Sequence, residues 1–225
     1  MLNDLVYILL IFNVFVYEVS SHGYMLTPVN RASRWRLNTS DTSILRNYDD
    51  NAYYCGGYGV QYNTNGGKCG PCGDNWLDPT PRSNENTGTY GNGVVVATYK
   101  SGSIIKTNIR ITTNHLGKIS YQLCKLNNTL LPETEECFQT LTLLNGETHQ
   151  IINKYDYNVT SYVQLPDYLI CDRCVLRWHY SAGNNWGSCG NGTSAVGCGP
   201  QETFRSCADI RILPSFFWFF RPFRV

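Results

Sequence analysis

Four histidines and ten cysteines carry most of the chemistry available to this 225-residue chain. His22 stands in "VSSHGY", just after the apolar run "LVYILLIFNVFV" at residues 5–16. That run is too short for a bilayer, which takes about 20 residues, and suits the hydrophobic part of a signal peptide. Val19 and Ser21 fill the positions a cut before His22 requires, although the leading "MLND" lacks the usual basic residues. Removal of residues 1–21 makes His22 the first residue of the mature chain. A terminal histidine offers a metal two nitrogens, its α-amine and its Nδ1, and the amine gives up its proton near neutral pH. One further imidazole completes a planar, T-shaped nitrogen set, the kind of site that Cu(II) prefers. His115, just before Gly117 at the end of "SIIKTNIRITTN", is the partner best presented for that role. His149, in a polar stretch, and His179, alternating with Val175 and Arg177, read as surface residues. The bland alternative for His22 is an incidental terminal histidine.

A rigid scaffold has to bring two distant histidines together, and the sequence predicts an all-β one. Strand-like runs occupy residues 94–99, 103–112, 118–124, 140–144, 161–165, 174–180 and 204–213. Several alternate apolar and polar residues; Ile105, Thr107, Ile109 and Ile111 share one face of "IIKTNIRIT". No long stretch has helical period. About seven short strands joined by Gly/Asn turns predict an antiparallel β-sandwich of immunoglobulin/fibronectin-III-like type. Residues 22 to about 90, rich in Gly, Asn, Pro and Tyr, read as long ordered loops. The simplest partition is a signal peptide at 1–21, one domain at 22–213 and an aromatic tail at 214–225. The tail run "FFWFF" at 216–220 is too short to span a membrane. It reads as a surface patch, an edge packed on the core or an interfacial anchor.

All ten cysteines follow the leader, and an even count there reads as up to five disulfides of open connectivity. Cys69/Cys72 and Cys171/Cys174 have C-x-x-C form, but roughly a hundred residues between the pairs fit a zinc ribbon poorly. Sequons at Asn38, Asn127, Asn158 and Asn191 agree with export as a glycoprotein. A net charge of +1 excludes the basic face that a nucleic-acid partner demands. Aromatic residues at 13% and charged residues at 16% suit contact with a neutral surface.

Six blocks of sequence resemble one family. They are "HGYMLTPVNRASRW" from His22, "YCGGY" from Tyr54, "NGGKCGPCGDNW" from Asn65, "TTNHLG" from Thr112, "SAGNNWGSC" from Ser181 and "GCGPQETFRSCADI" from Gly197. Together and in this order they resemble the lytic polysaccharide monooxygenases of auxiliary activity family 15, the invertebrate and viral type. The resemblance covers nearly the whole chain after residue 21. It implies a secreted, monomeric mono-copper enzyme that oxidatively cleaves the glycosidic bonds of crystalline chitin, or cellulose, at C1 or C4. An external electron donor and O2 or H2O2 would serve as co-reactants. His22 and His115 would form the histidine brace. Phe204 matches the family's axial aromatic and, unlike a tyrosine, would act by excluding water. Thr113 stands where many relatives have alanine and would alter the approach of the oxidant. Glu202, or Gln201, would be a group hydrogen-bonding the activated oxygen. Trp178 matches a buried aromatic near copper, and Tyr24 is a candidate for sugar docking. Hydrolysis by paired carboxylates has no supporting motif. The rival reading is a non-catalytic chitin-binding or matrix protein on the same scaffold; an adhesion or signalling domain is a third.

Overall fold

The computed structural model describes residues 22–215; the leader and the aromatic run at 216–220 lie outside them. Eleven strands follow in chain order: β1 His22–Thr27, β2 Ala97–Lys100, β3 Ile104–Thr113, β4 Lys118–Lys125, β5 Gln139–Thr140, β6 Gln150–Ile151, β7 Asn158–Gln164, β8 Cys171–Ser181, β9 Trp186–Ser188, β10 Ser194–Val196 and β11 Thr203–Leu213. They make a sheet of order β1-β3-β7, a sheet of order β2-β11-β8-β4-β5 with β6 beside β4, and a β9/β10 hairpin.

Alternation decides which face each strand buries. Ile105, Thr107, Ile109 and Ile111 of β3 point inward, as their spacing requires. The three isoleucines meet Ile119, Tyr121 and Leu123 of β4, Leu176, Trp178 and Tyr180 of β8, and Phe204, Ala208, Ile210 and Ile212 of β11 in one core. The architecture is the expected all-β sandwich, with four departures. The 22–90 region is not all loop: it contains strand β1, a 3-10 helix at Arg31–Arg36 and a short π-helical turn at Val60–Thr64. Residues 140–144 do not form a full strand; pairing stops after Thr140, and Leu143 makes an isolated bridge to Val163. Pairing of the 94–99 run begins only at Ala97, and there β2 runs parallel to β11 rather than antiparallel. The β9/β10 hairpin forms in a segment dense in Gly, Asn and Ser, a composition that predicts a loop.

All ten cysteines pair: Cys55–Cys69, Cys72–Cys207, Cys124–Cys137, Cys171–Cys174 and Cys189–Cys198. The first C-x-x-C is therefore split between two bridges, and neither pair is free to hold zinc. Cys72–Cys207 ties the long loops to β11 across 135 residues. Arg31 ties them a second time. Its guanidinium lies in the interior and donates to Asp209 through two bonds of 2.8 Å, to Glu133 at 2.5 Å and to the Asn84 carbonyl at 2.7 Å. Burial opposes its charge, but Glu133 and Asp209 outweigh burial and hold its pKa above the usual arginine value.

Candidate metal centre

The antiparallel pairing of β1 with β3 sets His22 opposite Thr113, two positions before His115. Glycine makes this approach possible. A Cβ on Gly23 would lie 3.0 Å from the Arg110 carbonyl and 3.1 Å from the Trp178 ring. The second residue of "HGY" is thus small because β1 lies directly on Trp178.

The chain leaves β3 through Asn114, His115, Leu116 and Gly117, then enters β4. Leu116 and Gly117 take the left-handed conformation, at φ of 57° and 90°. A Cβ on Gly117 would come within 2.1 Å of the Ser181 carbonyl, so this turn crosses the end of β8 at backbone contact. Three hydrogen bonds then fix the turn. The Tyr180 hydroxyl accepts from the His115 amide at 3.2 Å and donates to the Leu116 carbonyl at 2.6 Å. The Gly183 amide donates to the His115 carbonyl at 2.9 Å. The imidazole of His115 is buried, with Nδ1 3.1 Å from the Asn184 side-chain amide and 3.9 Å from Glu202 Oε2. Burial first, and the nearby His22 second, hold its pKa below the usual histidine value, which favours the neutral, metal-binding form.

Aromatic rings lie beneath and beside His22. Its ring centroid is 6.3 Å from Phe204 and 5.9 Å from Tyr54, the latter edge-on. From Phe204 the rings continue inward to Tyr180 at 5.7 Å and then to Trp178, stacked on Tyr180 at 5.9 Å. The Trp178 N–H is buried without a hydrogen-bond partner among the described residues.

The structure therefore gathers His22, Thr113, His115, Phe204 and Glu202 at one end of the sandwich. Gln201 is engaged elsewhere. Its side chain bonds the amide and carbonyl of Asn185 and the carbonyl of Cys198, which anchors the β9/β10 hairpin. One face of Tyr24 is covered by Arg36, 5.0 Å from the ring centroid. His179 is half-buried, not on the surface as its position in the sequence suggests, and its Nδ1 accepts from Arg205 at 3.3 Å. Nothing in the sequence singles out Tyr180, Asn184 or Tyr54, although Tyr54 and Asn184 lie inside the family-like blocks.

The donor set suits copper. Two imidazoles converge, one buried and neutral, and imidazole is a good ligand for copper. With Nε2 of His115 on a metal, Nδ1 carries the proton. The Asn184 amide, turned to present its oxygen, would then accept that proton, while the Glu202 carboxylate at 3.9 Å lies beyond hydrogen-bond distance and acts through its charge. Among the described residues, one other cluster has metal-ligand composition, Cys72, Glu133 and Cys207. Both of its sulfurs are spent in a disulfide, so it holds no metal.

The family model described as "lytic polysaccharide mono-oxygenase, cellulose-degrading" matches residues 22–210. A lytic polysaccharide monooxygenase of auxiliary activity family 15 from Thermobia domestica, solved in the Cu(I) state, is 40% identical. The match covers 85% of this chain and 98% of that one, with a TM-score of 0.80. Two more distant structures match nearly all of their own length. A cellulose-active enzyme, CelS2, in complex with copper is 14% identical over 86% of this chain and 100% of its own, at a TM-score of 0.44. A Micromonospora aurantiaca enzyme is 11% identical over 84% of this chain and 99% of its own, at 0.43. Those two are too remote to inform this chain's details. No curated protein matches. Family model and near relative agree: the chain belongs to the lytic polysaccharide monooxygenases, of the auxiliary activity family 15 type, copper-dependent oxidoreductases that cleave polysaccharides.

Proposed function

We propose that the protein is secreted, loses residues 1–21, and uses the new terminus at His22 to hold one copper ion. The observation that carries this reading is the β1–β3 register, which sets His22 opposite Thr113, two positions before His115, near enough for the His22 charge to act on that imidazole. His22 would contribute its α-amine and Nδ1, and His115 its Nε2. Asn184 would orient His115 and accept its remaining proton, with the Glu202 carboxylate 3.9 Å away as a nearby charge. Phe204, fully buried, without a polar side-chain atom and with its ring centroid 6.3 Å from that of His22, would keep water and donor oxygens away from the metal. Thr113, paired with His22 in the strand register, would shape the approach of the oxidant. Copper, when bound, supplies the one-electron chemistry that lets O2 or H2O2 oxidise a C–H bond at C1 or C4 of the sugar.

The substrate we favour is crystalline chitin, with cellulose second. Support for chitin comes from the resemblance to invertebrate enzymes; the description of the matching family model speaks for cellulose. The β9/β10 hairpin suits either polymer. Trp186 is 68% exposed and is paired in register with the exposed Val196, so an apolar platform stands two residues along the chain from Asn184. Sugar rings stack on such surfaces. Incubation of copper-loaded protein with a reductant and either polymer, followed by mass spectrometry, tests the reading. Oxidised oligosaccharides from chitin are expected. Release from cellulose alone would reverse the substrate order, and polymer binding without oxidation would favour the non-catalytic module.

A further inference from the structure

A second concavity lies on the outer face of the large sheet, away from the core side. Its volume is about 180 Å³, and its lining is Lys118, Ser120, Thr140, Thr148, His149, His179 and Ser181. Strand register explains the grouping. Lys118 pairs with Ser181 and Ser120 with His179 across β4 and β8, so these four side chains form one block on the same face.

The lining presents hydrogen-bond donors and no carboxylate. Lys118 makes no ion pair among the described residues. The hydroxyls of Ser120, Ser181 and Thr140 are rotors that can turn a donor toward a guest. Arg205 donates to Nδ1 of His179, which fixes the proton of the neutral ring on Nε2. His179 is thereby a donor as well. Behind it stand Arg177 and Arg205. The acid that faces them is Glu135, whose two oxygens are engaged by both arginines at 2.7–2.9 Å. Two guanidinium charges against one carboxylate, plus Lys118, leave the face positive. Glu147, which lines the adjoining groove with His149, is a further acid on that side.

We propose that this concavity binds a tetrahedral oxyanion, a phosphate or sulfate group. One cation, a fixed N–H and several rotatable hydroxyls around a small hollow match such a group. The chemistry is shared by a free ion and by a sulfate ester on a sugar, and the volume admits one such group. The site is independent of copper and of the oxidative reaction.

The test is calorimetric titration of the copper-loaded protein with inorganic phosphate, inorganic sulfate and glucose 6-sulfate, at constant ionic strength set with chloride. The expectation is saturable binding of one equivalent, with phosphate and sulfate competing. Lys118→Gln and the double variant Ser120→Ala/Ser181→Ala should each weaken it about tenfold or more, with copper affinity unchanged. Stronger binding of the ester than of free sulfate would identify a sulfated glycan as the source; equal binding would identify the free ion. Three results would overturn the proposal: no saturable heat at millimolar anion, binding untouched in both variants, or binding that vanishes when copper is removed, which would put the anion on the metal.

Discussion

At His115 the decisive contact is made at Nδ1, the nitrogen left over when Nε2 takes a metal. Asn184 at 3.1 Å restrains the ring's rotation and, with its amide turned to present oxygen, would accept the proton left on Nδ1 of a metal-bound His115. Such partners of a metal-bound histidine are worth about 10–100-fold in metal affinity. Asn184→Ala should therefore weaken copper binding by about that factor in a calorimetric titration while the melting temperature hardly moves. Unchanged affinity would mean that the contact is incidental. A second single-residue effect lies far from the metal. Burial raises the Asp74 carboxyl from 3.8 to about 6, although Asn84 donates to it from both its backbone and its side chain. The folded acid thus keeps its proton where the unfolded one has already lost it. Its contribution to stability is complete below about pH 4 and is lost as pH rises through about 6. Asp74→Asn removes that loss. The stability difference between variant and parent should grow from near zero at acidic pH to roughly 3 kcal/mol at neutral pH in urea melts. A difference that stays flat across that range would contradict the assignment.

The element that governs the centre is the β3–β4 turn. Gly117→Ala would place a methyl group 2.1 Å from the Ser181 carbonyl, at a left-handed residue. We expect a stability loss of about 1–3 kcal/mol or more, and weaker copper binding because His115 shifts with its turn. A fully stable variant with normal copper affinity would show that the turn tolerates repacking. The β9/β10 hairpin makes a separate prediction. Trp186→Ala should leave copper affinity intact and reduce retention on the insoluble polymer several-fold in a pull-down assay, since aromatic stacking contributes about 0.5–1.5 kcal/mol. These two elements also mark how far the sequence can be read. Strand β3 is legible because Ile105, Ile109 and Ile111 alternate without interruption. Strand β1 is not, because its inward positions are Gly23 and Met25 and it stops at Pro28. The hairpin carries no apolar alternation either; its shape rests on Cys189–Cys198 and on Gln201, contacts that only the folded chain makes. His22 and His115 are legible through the chemistry of a terminal histidine and the motifs around them. Tyr180 and Asn184 are not, because their partners lie 64–69 residues away in sequence.

Across the whole molecule, the sandwich is a stiff frame and the long 28–96 region is fastened to it from outside. Cys72–Cys207 and the buried Arg31 are two of its fasteners, and both converge on β11, the strand that also carries Phe204. Arg31→Ala would leave Asp209 and Glu133 facing each other's charge in the interior. Removing one partner of a buried ion pair typically costs about 3–5 kcal/mol, so a fall of that order is expected in chemical denaturation. A loss under about 1 kcal/mol would mean that the loops are held by the disulfide alone. The central claim concerns the other end of β11, where the frame presents a histidine that we propose is also the chain terminus. The most direct test is copper affinity, by calorimetry, of the secreted protein whose terminus is confirmed as His22, beside a version with one alanine added before it. Tight binding that collapses in the extended version is the predicted result. Weak binding, or binding that the extra residue leaves unchanged, would contradict the account.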